Sequence, residues 1–398
     1  MRDLVVDLFA GPGGWSHALG MLGVRDVGLE WDEWACKTRA AAGQLTIRTD
    51  VAMYPAWIFA GRVQGFIASP PCQAWSMAGK RLGLVDQPLV HQAVADLAVG
   101  RDTRERLLAA CRDPRSLLAA EPMRYLHALH KVGEPEWIAM EEVPDVLPLW
   151  QQYAAILRSW GFSVWTGIIN SADFGVPQTR RRAILLASRV RTAAPPEPTH
   201  ARLPEPESLF GSGRGRWVSM AEALGWGATD RPVPTVCAGG GPGGGAEPFP
   251  SGARKTLTDA RDRGAWKHHP ASRQALADPA ARQRWAWSLR SNNQAHATVR
   301  RADEPAGTLF FGHRANECMW IAEPADATGA GSAAPEPIRI TATEAGVLQS
   351  FPADYPWQGT KGQAFSQIGN AVPPRLAAHL LAPHLGKTLS RDDFTLAA

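Results

Sequence analysis

The chain of 398 residues carries 42 Lys+Arg against 38 Asp+Glu, a net charge of +4, and 45% hydrophobic residues. That length fits one large domain with an inserted lobe, or two domains; the composition is too apolar for a disordered chain and too weakly charged for a polycation. Seven lysines against 35 arginines, and 16 tryptophans against four tyrosines, fit either a GC-rich coding bias or a surface of forked guanidinium groups that holds phosphates and bases.

The opening MRDLVVDLFAGPGG has too short an apolar run for a signal peptide, and no apolar stretch reaches the roughly 20 residues a membrane span needs. Cys36, Cys72, Cys111, Cys237 and Cys318 are odd in number, scattered and never in a C-x-x-C pair. They predict no disulfide framework and no zinc ribbon, hence a reduced, cytoplasmic setting without a metal.

From residue 1 to 188 short apolar runs alternate with amphipathic stretches. LVVDLF (4–9), DVGLE (26–30), GFIAS (65–69), WIAMEEV (137–143), FSVWTGII (162–169) and AILLAS (183–188) predict strands. Several are almost continuously apolar, as strands buried on both faces of a parallel sheet are. Helical spacing at 15–22, 32–42, 116–132 and 149–160 completes a doubly wound, Rossmann-like α/β sheet. From 189 to 337 the chain turns Pro-rich (APPEPTHARLPEPE), Gly-rich (GGGPGGG, 239–245) and weakly periodic, which predicts an irregular inserted lobe. Regular structure resumes in a helix capped by Thr341, and PPRLAAHLLAPHL (373–385) predicts a helix opened by proline. The expected organisation is a catalytic domain at 1–188, a lobe at 189–337 and a segment at 338–398 that completes the first domain.

Two segments carry chemistry. In DLFAGPGGW (7–15) a buried strand runs into Gly11, Gly13 and Gly14 and then a helix, a turn that lets a ligand approach the backbone. It is not G-x-G-x-x-G, and Pro12 removes a donor that a pyrophosphate would use. Glu30 ends the second strand, Trp31 follows, and Asp50 ends the next; an acid, an aromatic ring and a second acid at strand ends suit the ribose, ring and exocyclic amine of an adenosine. In SPPCQAWSMAGKR (69–81) two prolines fix the backbone before Cys72 at the edge of the sheet, where such folds carry their chemistry.

SPPCQAWSMAGKR resembles the catalytic loop of C5-cytosine DNA methyltransferases of prokaryotic or phage type, and DLFAGPGGW resembles the loop that binds S-adenosylmethionine in that family. EEVPDVLP (141–148), QTRRR (178–182), RITATEAGVLQSFPADY (339–355) and QIGNAVPPRLA (367–377) resemble further family blocks. The resemblance covers most of 1–188 and 338–385. It implies S-adenosylmethionine as methyl donor, held by Phe9, Gly11, Gly13, Glu30, Trp31, Asp50 and Asn370. It implies Cys72 as nucleophile toward cytosine C6, Glu141 as the acid at N3, and Arg180 and Arg182 at the base carbonyl. Double-stranded DNA is the implied partner, with the base flipped out and Gln73 and Ser76 on the loop that fills the gap. Where the family pattern has E-N-V, this chain has Glu142 in place of Asn. An amide donates and accepts, whereas a carboxylate only accepts unless protonated, so the local network must differ.

Residues 189–337 match no general family pattern and stand where the family has its variable target-recognition region. Within them, 251–316 holds 12 Lys+Arg against five Asp+Glu, so the modest total charge hides one basic segment. Trp266, Trp285 and Trp287 interleave with its cations, among them Arg314. RPVPTV (231–236) and EPAGTL (304–309) share a P-x-x-T-apolar spacing, and Thr235 or Thr308 is a candidate neighbour of the flipped base. Two other readings stay open at this stage: a cytosine-5 methyltransferase acting on transfer RNA, and a catalytically silent DNA-binding member. A companion restriction endonuclease, a monomeric state and association with the nucleoid are further expectations.

Overall fold

The computed structural model describes residues 3–75, 82–206, 213–224, 236–238, 285–290, 299–301, 309–311, 318–324 and 338–389. Strand β1 (Leu4–Leu8), helix α1 (Gly14–Met21), β2 (Asp26–Glu30), α2 (Glu33–Ala41), β3 (Leu45–Arg48) and β4 (Val63–Ala68) open the chain. Then come α3 (Leu82–Ala98), α4 (Arg104–Ala110), α5 (Glu121–His130), β5 (Trp137–Glu142), α6 (Leu147–Ser159), β6 (Ser163–Asn170) and β7 (Arg181–Ser188). The strands form one seven-stranded sheet in the order β3-β2-β1-β4-β5-β7-β6, parallel except for β7, which runs antiparallel to both neighbours. The six strands expected from the apolar runs all form, and the order reverses between β1 and β4. That reversal opens a crevice beyond the carboxyl ends of the strands, where open α/β sheets bind ligands.

Apolar layers cover both faces. Val6, Leu8, Phe66, Ile138, Met140 and Leu185 face α3, α5 and α6, while Val5, Ile67, Ala139 and Ile184 face α1 and the C-terminal helix. Periodicity over 116–132 predicts one helix, but a 3-10 segment (Pro114–Ala120) precedes α5. Pro122, in the first turn of α5, has no N–H to continue the earlier hydrogen-bond ladder. Helix α3 was not expected: Gly83 and Pro88 interrupt its pattern, and it forms because Val90, Ala93, Val94 and Leu97 pack on the core.

Beyond the sheet come β8 (His200–Ala201), β9 (Gly215–Arg216), α7 (Met220–Ala223), β10 (Val236–Ala238), β11 (Trp285–Arg290), β12 (Val299–Arg301), β13 (Leu309–Phe311), β14 (Met319–Pro324) and β15 (Ile338–Arg339). Where weak periodicity predicts an irregular segment, the described residues form a four-stranded antiparallel sheet, β12-β11-β14-β15, whose last strand lies past the expected boundary at 337, and a parallel pair, β10-β13. The pair aligns Val236 with Leu309, the apolar residues that end the two P-x-x-T-apolar segments. Thr235, Thr308 and Arg314 lie outside the described residues.

Three helices follow: α8 (Ala342–Leu348), α9 (Lys361–Asn370) and α10 (Pro374–Leu381). Thr341 caps α8 in a capping box with Glu344, as the sequence predicts, and Thr360 caps α9 the same way with Gln363. Ile340, Ala345, Leu348, Phe365 and Ile368 share a core with Met220 of α7, Leu289 of β11 and Trp320 of β14, whereas Val372, Leu376 and Leu380 pack with α1 against the main sheet. The returning chain therefore joins the two cores at 369–372.

Candidate active site

The turn after β1 holds three residues in the left-handed region: Phe9 (φ 59°), Gly11 (φ 55°) and Gly13 (φ 98°). For Phe9 this conformation costs roughly 1–2 kcal/mol, and the Ala10 N–H bond to Leu29 O (3.1 Å) helps hold it. The glycines do different work. A Cβ on Gly11 would meet nothing within 4 Å, so this residue borders open space. On Gly13 it would lie 1.8 Å from Gln44 Oε1, and on Gly14 2.0 Å from Val372 O. Gly11 leaves room for a ligand; Gly13 and Gly14 let Gln44 and the returning chain pack beneath it.

Glu30 is bonded to this turn. Its Oε2 accepts the Gly11 N–H (2.7 Å), and its Oε1 accepts those of Trp31 (2.8 Å) and Asp32 (2.7 Å). Burial pushes its pKa up, opposed by these three bonds. A carboxylate offers about four acceptor positions, so one remains for a ribose hydroxyl. Trp31 beside it is 70% exposed, as a stacking platform must be. The Thr49 N–H donates to Glu30 O (2.9 Å), which brings Asp50 alongside, and Asp50 Oδ1 accepts the Ala52 N–H (2.9 Å). Open space over Gly11, a spare acceptor on Glu30 and an exposed ring fit an adenosine-bearing methyl donor.

Across the crevice, β4 leads through Ser69, Pro70 and Pro71 into a 3-10 turn that begins at Cys72. Ser69 N–H bonds to Leu8 O (3.3 Å), and Trp15 Nε1 donates to Ser69 Oγ (2.9 Å), tying the Pro-Pro-Cys segment to the glycine turn and α1. Gln73 Oε1 accepts from Arg115 Nη1 (3.4 Å), whose other nitrogens are held by Asp113. Ser76 lies outside the described residues.

One strand over, β5 ends in Glu141 and Glu142. Both are buried. Arg182 Nε lies 3.0 Å from Glu141 Oε1 as an ion pair without hydrogen-bond alignment, and Arg180 Nη2 lies 3.9 Å from the same oxygen. The antiparallel β5–β7 register sets Glu141 opposite Ile184, which delivers these arginines to the end of β5.

Glu142 clarifies the departure from the family pattern. Its Oε2 accepts the Val143 N–H and its Oε1 has no partner among the described residues. Burial first, and the charge of Glu141 second, push its pKa up to about 8. At neutral pH it is a carboxylic acid with an O–H to donate, which restores the donor an asparagine would supply. A raised acid pKa in the folded state favours folding fully below the usual glutamate range, and that contribution is lost as pH rises through about 8. Glu142→Gln should therefore raise the melting temperature relative to the natural chain at about pH 8, with the difference shrinking toward about pH 5. Equal differences at both pH values, read by thermal unfolding, would contradict this assignment.

The C-terminal segment closes both halves of the crevice. Arg180 Nη1 donates to Gly369 O (3.1 Å), beside Asn370, which is exposed at the end of α9. Gln178 donates to Leu348 O (3.2 Å) and Gln349 Oε1 (2.7 Å), and Gln349 donates to Ala371 O (2.6 Å). Tyr355 Oη donates to Pro12 O (2.6 Å) and accepts from Gln44 (3.2 Å), so the glycine turn is latched from behind. Gln178, Gln349 and Tyr355 lie in blocks that resemble the family's, but nothing in those blocks states these contacts. Trp15 and Gln44 gave no signal, because their partners are 54 and 311 residues away.

A family model described as C-5 cytosine-specific DNA methylase matches residues 4–91 and 108–385. The type II methyltransferase M.DdeI of Desulfomicrobium norvegicum is 27% identical over 94% of this chain and 87% of its own length. The type II methyltransferase M.HgiDI of Herpetosiphon aurantiacus is 23% identical, covering 94% of this chain and 92% of its own. Among solved structures, the S. pombe Dnmt2 methyltransferase shares the fold with a TM-score of 0.52 at 15% identity, over 97% of this chain and 99% of that one. The chain belongs to the C-5 cytosine-specific DNA methylase family and is a DNA (cytosine-5)-methyltransferase with S-adenosylmethionine as methyl donor.

Proposed function

We propose that methyl transfer runs through a covalent bond between Cys72 and C6 of a flipped-out cytosine. Cytosine C5 is a poor nucleophile. When the Cys72 thiolate adds to C6, the C5=C6 electron pair shifts through the ring toward N3, and Glu141, which takes up a proton from water as the base enters, passes it to N3 to give an enamine that is nucleophilic at C5. Arg180 and Arg182 hold the base carbonyl and orient Glu141. S-adenosylmethionine supplies an electrophilic methyl group on a sulfonium. Once C5 has taken the methyl group and the thioether S-adenosylhomocysteine has left, C5 loses its proton to water, N3 returns its proton to Glu141, the C5=C6 bond re-forms and Cys72 leaves as the thiolate. Phe9, Gly11, Glu30, Trp31, Asp50 and Asn370 hold the donor, and Gly13 serves it through the packing of Gln44 beneath the turn. The observation that carries this reading is the buried Glu141, paired with Arg182 at 3.0 Å at the end of β5, one strand from the turn bearing Cys72.

The lobe at 189–337, with its basic 251–316 segment, is the proposed reader of a short duplex sequence. Gln73 and Ser76 enter the gap left by the base, and Thr235 or Thr308 with Arg314 contacts the target. The designation of relatives as type II methyltransferases supports a genetically linked restriction endonuclease. The enzyme then acts as a monomer on nucleoid DNA in the cytoplasm. Incubation with S-adenosylmethionine and random-sequence duplex DNA, followed by bisulfite sequencing, should return protected cytosines within one short motif. Protection scattered without a motif would remove target reading from the lobe.

A further inference from the structure

The match to the family model is interrupted over residues 92–107, and a side chain from that stretch reaches the donor side of the crevice. Arg104, at the start of α4, donates through Nη1 to Ala52 O (3.0 Å) and to Glu121 Oε1 (2.7 Å). Asp102 holds the rest of its guanidinium, with Nε to Oδ1 at 2.8 Å and Nη2 to Oδ2 at 2.6 Å. The other oxygen of the buried Glu121 accepts from Arg124 Nε (2.9 Å). Arg124 in turn donates to Tyr54 O (2.9 Å) and Val51 O (2.6 Å), and Tyr125 Oη donates to Val51 O (2.9 Å). The carbonyls of the turn after β3 are therefore gripped by two arginines bridged through one buried carboxylate.

This grip leads directly to Asp50. The Ala52 residue whose carbonyl Arg104 holds is the one whose N–H bonds to Asp50 Oδ1 (2.9 Å), and Met53 and Tyr54 donate to Asp50 O. Fixing both ends of Ala52 fixes the Asp50 carboxylate, and pre-organised polar groups bind their ligand without a further ordering cost. We propose that Arg104 is a positioning residue for the methyl donor: with Glu121 and Arg124 it aims Asp50 at the exocyclic amine of the adenine ring. This rests on the reading of Asp50 as an adenine contact.

The test titrates S-adenosylhomocysteine and its deaminated analogue S-inosylhomocysteine into the full chain by calorimetry. The natural chain should prefer the adenosyl compound. Asp50→Ala should abolish that preference. Arg104→Ala should weaken the adenosyl compound about tenfold, the scale of one well-placed hydrogen bond, and lose most of the preference. Arg104→Lys, which keeps the charge but donates from one nitrogen in place of three, should recover part of it. At saturating S-adenosylmethionine the kcat of Arg104→Ala should stay within about twofold of the natural chain, while its KM for the donor rises about tenfold. If Asp50→Ala loses the preference and Arg104→Ala keeps it, the positioning role is wrong while Asp50 stands. If Asp50→Ala keeps the preference, the reading of Asp50 fails and takes the proposal with it.

Discussion

Cys72→Ser should lower methyl transfer by about 10⁴-fold or more while duplex binding stays within about twofold. A serine hydroxyl is far more weakly acidic than a thiol, so it cannot supply the anion that adds to C6 at neutral pH. Without that addition, C5 stays part of an aromatic ring and does not attack the methyl group. The two prolines before Cys72 and the Trp15–Ser69 bond (2.9 Å) fix the segment independently of the sulfur, so the exchange should leave the fold intact. Single-turnover assays with labelled donor give the rate, and gel shifts give the binding. Turnover surviving within about tenfold would take Cys72 out of the reaction.

Glu141→Gln should lower kcat by about 10²–10⁴-fold, the usual worth of a positioned proton donor. The amide keeps the shape of the carboxyl and its contacts with substrate but has no proton to give N3. The exchange also leaves Arg182, 3.0 Å away and buried, without its counter-charge. Breaking a buried pair from one side costs roughly 3–5 kcal/mol of stability. A fall in melting temperature should therefore accompany the loss of rate, and rates must be read well below the variant's midpoint. Donor KM should hold, because Glu141 lies on β5, away from the Glu30–Asp50 side of the crevice. A kcat within about tenfold of the natural chain would assign the N3 proton to another group.

The central sheet was legible because its strands are nearly continuous apolar runs separated by helical spacing, and the six runs singled out all became strands. Those patterns report burial, which the sequence states locally. The antiparallel insertion of β7 between β5 and β6 is a pairing choice, and no local pattern encodes it. Helix α3 escaped notice because Gly83 and Pro88 read as breakers, whereas its packing on the core outweighs their propensity cost. In the lobe, β11 pairs with β14 across some thirty residues, with Trp285 opposite Pro324, a separation at which alternation in short strands carries little signal.

The site divides in the same way. Residues singled out from short motifs come together in the fold: Gly11 and Glu30 are bonded to each other, and Glu141 stands beside Arg180 and Arg182. Residues whose role depends on distant approach are not singled out that way. Tyr355 reaches Pro12 and Arg104 reaches Ala52 only after folding. The Glu142 substitution looked like a lost amide donor, yet burial at the end of β5 raises its pKa to about 8 and restores a donor. Charge at that position is a property of the fold, not of the residue type.

The central claim is the covalent step at Cys72, and a trapped adduct tests it most directly. Duplex DNA carrying 5-fluorocytosine at the methylated position accepts both the thiolate and the methyl group but has no C5 proton to lose, so Cys72 cannot leave. After incubation with S-adenosylmethionine, denaturing mass spectrometry of the digested protein should find the peptide containing Cys72 joined through C6 to a 5-fluoro-5-methyl-5,6-dihydrocytosine residue. Methylated DNA with no adduct, or an adduct on another residue, would contradict the account.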